Sequence, residues 1–206
     1  MRTWILCLLF ALVASSRAAT YGVKWLTDLG GTANESLHGM RVISLTNGTF
    51  VGVGYESTLG GGPKLVIRGY DATGQVLWTR FRPVGQFESI GNIVSAADNF
   101  GNFYVTFGHE ELVDFRDIVT IKYNSSGQEI WARSLDFANN GEDYPNAITV
   151  DFAGNPAIVL STAGRIGIIR YTKDGVLMFR HAYGSVGSGA QREVGEQIAY
   201  DSQRNI

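Results

Sequence analysis

The chain has 206 residues, with 17 Lys and Arg against 19 Asp and Glu, a formal charge of −2 and 45% hydrophobic residues. A slightly acidic chain without a basic run offers no electrostatic footprint for nucleic acid or an anionic membrane surface. Cys7 is the only cysteine, which rules out an intrachain disulfide framework or a cysteine metal site.

In chain order, Met1-Arg2 forms a short basic start, and Trp4 to Ala14 (WILCLLFALVA) is an unbroken apolar run. Ser16 and Ala18 then stand at −3 and −1 of a cleavage site before Ala19, with Thr20 an equal alternative start. This order is that of a secretory signal peptide over 1–18, and the run is too short to span a bilayer. No later stretch is long or apolar enough for a span. The expected location is therefore outside the cell, secreted or on the cell surface. Cleavage would remove Cys7, Arg2 and Arg17, leaving 15 basic against 19 acidic residues and a net charge of −4.

Residues 19–206 repeat themselves. DNFGNFYV from Asp98 recurs as DFAGNPAIV from Asp151 and begins again as DSQRNI from Asp201, spacings of 53 and 50 residues. A degenerate copy, TNGTFVGVG, lies one period earlier at Thr46 to Gly54. A second landmark, YDATGQVLWTR (Tyr70 to Arg80), returns as YNSSGQEIWAR (Tyr123 to Arg133) and YTKDGVLMFRH (Tyr171 to His181). Trp25, Trp78, Trp131 and Phe179 keep the same register. Two landmarks holding one period mark a repeat architecture.

Each period predicts four short strands. In the third copy these are Ala147–Asp151, Ala157–Ser161, Gly167–Thr172 and Val176–Tyr183, rich in Ile, Val, Tyr and Phe and bounded by Gly, Asn and Asp. D-x-x-G-N joins the first strand to the second, and N-S-S-G, A-T-G or K-D-G joins the third to the fourth. Gly there supplies positive φ, and Asp or Asn bonds its own backbone. Four antiparallel strands per period of about 50 residues is the blade of an all-β propeller. A sandwich of hairpins is the structural alternative.

The blocks GNFYVTFG, DIVTIKYNSSGQEIWAR and NAITVDFAGNP resemble the SBBP-type repeat, the seven-bladed β-propeller repeat of secreted and cell-surface proteins. The resemblance covers about Tyr21 to Ile206, with TNGT in the first copy and Phe179 in the third as departures. It implies architecture and export, and it implies no reaction. Three full blades, the last strand of one before them and the start of one after them make about 3.5 blades. Their uncovered end faces are expected to make the chain aggregate or self-associate unless it is a truncated sequence.

In a blade of this topology both tight turns fall at one end. The second-to-third loops and blade connections fall at the other. The long stretches Tyr55–Pro63, Arg82–Ser89, His109–Asp117, Asp136–Pro145 and Gly184–Glu196 are read as the loops of that other end, where binding usually lives. Glu111, Asp114, Arg116, Glu142, Asp143 and Tyr144 are the candidate contacts for a protein or glycan partner. The repeated aspartates lack the oxygen spacing of a calcium loop and are read as turn residues. The tryptophans, sharing one register, are read as packing between blades. His38, His109 and His181 fall at three unrelated blade positions, so no metal site is expected.

No catalytic motif is present, neither G-x-S-x-G, P-loop nor H-E-x-x-H, and no catalytic residue or cofactor is assigned. YDATGQVLW is also similar to the tryptophan-docking repeat of quinone-dependent dehydrogenase propellers, but their polar calcium-bearing axis has no counterpart here. Asn34, Asn47 and Asn124 head glycosylation sequons, relevant in a eukaryotic host. The leading expectation is a non-catalytic exported binding or scaffold module. The alternatives are a piece of a propeller enzyme (dehydrogenase-like or lyase-like) whose site lies in other blades, and a truncated chain with no activity of its own.

Overall fold

A computed structural model describes residues 36–58, 61–84, 89–110, 117–137, 143–184, 194–203 and 205–206. The expected leader, Trp25, Asn34, Glu111, Asp114, Arg116 and Glu142 lie outside the described residues. Among the described residues the protein is all-β, with twelve strands in three four-stranded antiparallel sheets. The first sheet holds β1 (Ser36–Ser44), β2 (Phe50–Thr58), β3 (Gly61–Tyr70) and β4 (Val76–Pro83). The second holds β5 (Ser89–Ala97), β6 (Phe103–Glu110), β7 (Asp117–Tyr123) and β8 (Glu129–Leu135). The third holds β9 (Asp143–Val150), β10 (Pro156–Thr162), β11 (Arg165–Tyr171) and β12 (Leu177–Tyr183). Strands follow chain order within each sheet, so every sheet is a simple meander. No helix of the described residues is long and apolar enough to cross a membrane.

The sheets stack face against face because their inner strands are apolar on both sides. On β6 the pleat sends Phe103, Val105 and Phe107 into one core with Val51, Val53, Leu65 and Ile67 of the first sheet. It sends Tyr104 into a second core with Trp131, Ile158, Leu160, Ile169 and Tyr171, which reaches the third sheet. Burying a side chain such as Phe103 completely contributes about 1.5–3 kcal/mol. The first strands of successive sheets neighbour one another, β1 beside β5 and β5 beside β9. This arrangement is compatible with consecutive propeller blades; a closed ring lies beyond it.

Two bulges recur in every sheet. The first-to-second strand register slips between His38 and Arg41, between Ile90 and Ile93, and opposite Val159 and Leu160. The third-to-fourth register slips just after the turn: Gly69 pairs with Trp78 and Tyr70 with Val76, leaving Leu77 extra. Ile130 and Met178 are the extra residues in the other two sheets. A bulge twists its strand and re-aims the next side chain. It explains why Leu77, Ile130 and Met178 are about half exposed, at 53%, 51% and 49%. In the first two sheets it also turns the aromatic that follows, Trp78 or Trp131, toward the next sheet.

Three readings of the chain need correcting. Tyr55–Pro63 is not a long loop, because β2 runs to Thr58 and β3 starts at Gly61. The first strand of the third sheet starts at Asp143, not Ala147, since pairing resumes beyond the bulge, with Pro145 opposite Leu160 and Asp143 opposite Thr162. His109 likewise belongs to β6 rather than to a loop.

Candidate functional site

The two ends of the stack differ in chemistry. At the tight-turn end, Oδ1 of Asp98 accepts from the backbone N–H of Phe100 and Asn102 at 2.9 and 2.8 Å, while Oδ2 accepts from Asn102 Nδ2 at 2.9 Å. Asp151 repeats this with Ala153 and Asn155, and Asp201 with Gln203 and Asn205. Burial works against the Asp151 carboxylate, yet the Asn155 donors and Arg170 together hold its pKa below the usual carboxylate range. Each carboxylate is thus occupied by its own turn.

A cation backs two of these turns. Lys122 Nζ lies 3.6 Å from Asp98, and Arg170 reaches Asp151 at 3.1 Å. In the first sheet the aspartate position is Leu45 and the cation position is Gly69, so the pair is replaced as a unit. Burial lowers the Lys122 pKa, against the pull of Asp98. The other turns follow the same plan. Oδ1 of Asp71 accepts from Thr73 and Gln75, Oδ1 of Asn124 from Ser126 and Gln128, and Oγ1 of Thr172 from Asp174 and Val176.

Between sheets, the fourth-strand aromatic of one packs on the third-to-fourth turn of the next. A Cβ on Gly127 would lie 2.5 Å from the Trp78 ring, and one on Gly175 would lie 2.8 Å from the Trp131 ring. Trp131 Nε1 donates to Lys173 O at 2.9 Å, Arg133 Nε to Gly175 O at 2.8 Å, and Arg80 to Ser126 O at 3.1 Å. Tyr104 donates to Gly154 O at 2.5 Å. Burial pushes the phenol of Tyr171 up to about 12, and Tyr104 and Tyr123 rise as well. These tyrosines stay neutral, and Tyr104 acts as a donor rather than a base. Trp78 and Trp131 are therefore seam residues, as their shared register predicts.

At the opposite end the seam between the first two sheets opens into a cleft of about 390 Å³. It is lined by Arg82, Pro83, Val84, Phe107, Val119, Ala132, Arg133 and Ser134, although the Arg133 guanidinium itself turns to the second seam, over the Trp131 ring. Arg82 pairs with Glu129, and Arg133 is already engaged with Gly175 and Ala132. The next seam is built differently at the matching positions. Phe137, one period after Val84, packs against the second core, while Leu160 stands where Phe107 does and Gly167 where Val119 does. The phenyl ring thus comes from Phe107 in the first seam and from Phe137 in the second. No spacing rule exposes such an exchange; only aligning the copies residue by residue brings it out.

Of the expected contacts, two fall among the described residues, both at this end. Asp143 is buried (0% exposed), with Oδ2 accepting from Phe137 N at 2.8 Å, so it fastens the β8–β9 connection. Tyr144 is half-buried and pairs with Ser161 in the ladder. The sequon Asn47 is exposed, with its Oδ1 held by Thr49. Asn124 is half-buried, and its Nδ2 donates to Gln128. His181 packs edge-on to Tyr183, 4.5 Å between ring centroids. Among the described residues no three His, Cys, Asp or Glu side chains converge to hold a metal. No protein-family model and no curated protein matches the chain.

Proposed function

We propose that the chain is an exported β-propeller of the SBBP type that acts as a non-catalytic binding or scaffold module through its open end. The observation that carries this is the contrast between ends. The tight-turn end satisfies its carboxylates and amides internally, whereas the opposite end presents a cleft of mixed polar and apolar lining. Clefts of about 300–1,000 Å³ are the usual size of a small ligand site. The basic, apolar and small-residue order of 1–18 supports export. N-terminal sequencing of exported protein tests that part, with Ala19 or Thr20 the expected first residue.

The functional test is a hydrogen-exchange footprint of bound ligands selected from peptide and glycan libraries. Protection is expected over 82–84, 117–120 and 132–134. Protection confined to the turns at 71–75, 124–128 and 151–155 would reverse the two ends.

A further inference from the structure

We infer that Asn47, at the tight-turn end of the first sheet, is the acceptor for an N-linked glycan added along the export route, and that Asn124 is not. The inference rests on the reading of the chain as exported. Asn47-Gly48-Thr49 and Asn124-Ser125-Ser126 share the acceptor pattern, a carboxamide with a hydroxyl two residues on. The turns that hold them differ. In the second sheet Asp98 caps the first-to-second turn, accepting from the backbone N–H of Phe100 and Asn102. Leu45 stands at that aspartate position in the first sheet, and its side chain accepts nothing. Asn47 takes over one of those bonds: its Oδ1 accepts from Thr49 N at 3.1 Å and from Thr49 Oγ1 at 2.6 Å.

The capping bonds occupy the oxygen and leave the nitrogen. Asn47 Nδ2 donates to no described residue. The position also faces outward. Phe100 occupies it in the second sheet and is 65% exposed, and Asn47 is itself exposed. A Cβ placed on the neighbouring Gly48 would have nothing within 4 Å. Glycosylation consumes the nitrogen and spares the oxygen. Nδ2 bonds to the anomeric carbon of a phosphate-activated sugar, the carbon–oxygen bond to the phosphate breaks with its electron pair leaving on the phosphate, and the transferase takes one Nδ2 proton. Both bonds from Thr49 to Oδ1 therefore survive the modification.

At Asn124 the oxygen is held in the same way by Ser126, but Nδ2 is also engaged, donating to Gln128 Oε1 at 2.9 Å. That turn lies in a seam, with the Trp78 ring against Gly127 and Arg80 donating to Ser126 O. A sugar there would crowd the packing between two sheets. A glycan on Asn47 hangs from the tight-turn end and leaves the opposite end uncovered for a partner.

The test is secretion from a eukaryotic host, once with residues 1–18 in place and once with residues 19–206 behind an unrelated export signal. Enzymatic release of N-glycans in heavy-oxygen water converts each occupied Asn to labelled Asp, which peptide mass spectrometry locates. The label is read on folded protein from the medium or, where a form is retained, from the endoplasmic reticulum. It is expected at Asn47 and absent from Asn124. Thr49→Ala should lose the glycan, Thr49→Ser should keep it, and Asn124→Gln should leave the glycan mass unchanged. Folded protein bare at Asn47, or labelled at Asn124 as fully as at Asn47, would overturn the inference. Retention of the chain with residues 1–18 uncleaved, while the fused form is labelled at Asn47, would overturn the export reading and leave the acceptor standing.

Discussion

Trp78 lies against Gly127 of the next sheet so closely that a methyl group there would stand 2.5 Å from ring carbon Cζ3. Gly127 also has φ +73°, in the region that favours glycine. Gly48 shares the backbone conformation, at φ +79°, but has nothing within 4 Å of its Cβ position. The pair separates backbone strain from seam packing. Gly48→Ala is expected to cost about 1 kcal/mol for the left-handed conformation alone. Gly127→Ala should cost about 2–4 kcal/mol, because the ring must move as well. Urea denaturation measures both, and equal losses would mean that Trp78 does not hold the seam.

The Asp151 turn predicts an acid-sensitive contribution. The folded-state pKa is held below its ordinary value, so the stabilisation is present above the unfolded pKa of about 3.9 and is lost as pH falls through the folded value. Asp151→Asn removes the charge opposite Arg170 and should cost about 1–3 kcal/mol at pH 7. Denaturation midpoints between pH 7 and pH 2 should fall less steeply in the variant than in the wild type. Parallel curves would place the acid sensitivity elsewhere.

Phe179 holds the register position of Trp78 and Trp131, yet it is 39% exposed where Trp131 is 8%. Tyr183, on the same face of the strand, is 50% exposed. An outer strand with such a row favours self-association of residues 19–206. Sedimentation at rising concentration should show larger species, and Phe179→Asp should reduce them about tenfold in association constant, the effect of losing a central apolar contact. A wild-type chain that stays monomeric at all concentrations would contradict this.

The repeat made most of this fold legible. Two landmarks at one period placed the four strands of each sheet. Asp98, Asp151 and Asp201 were identifiable as turn residues because Gly and Asn follow at fixed distance; Arg204 replaces the Gly in the last copy, and Asp201 still forms the same bonds. The bulges at Leu77, Ile130 and Met178 were hidden, since an extra residue leaves the strand's composition unchanged. Asp143 was read as a rim charge, but its burial depends on the Phe137 amide six residues away, a contact set by the fold. The cleft was equally hidden. It lies where Val84 and Phe107 stand in place of the Phe137 and Leu160 of the next seam, and each residue alone is an ordinary apolar choice.

That exchange is tested most directly by the stabilities of Val84→Phe and Phe137→Val, each measured by urea denaturation of the otherwise unchanged chain. An open mouth at Val84 should accept the larger ring with stability unchanged or raised by about 0.5–1 kcal/mol, since it fills space now accessible to solvent. Phe137→Val should lose about 1–3 kcal/mol, because that half-buried ring already packs against the second core. If Val84→Phe instead destabilises by about 1–3 kcal/mol, as overpacking a filled interior does, there is no room at that seam and no cleft to bind a partner.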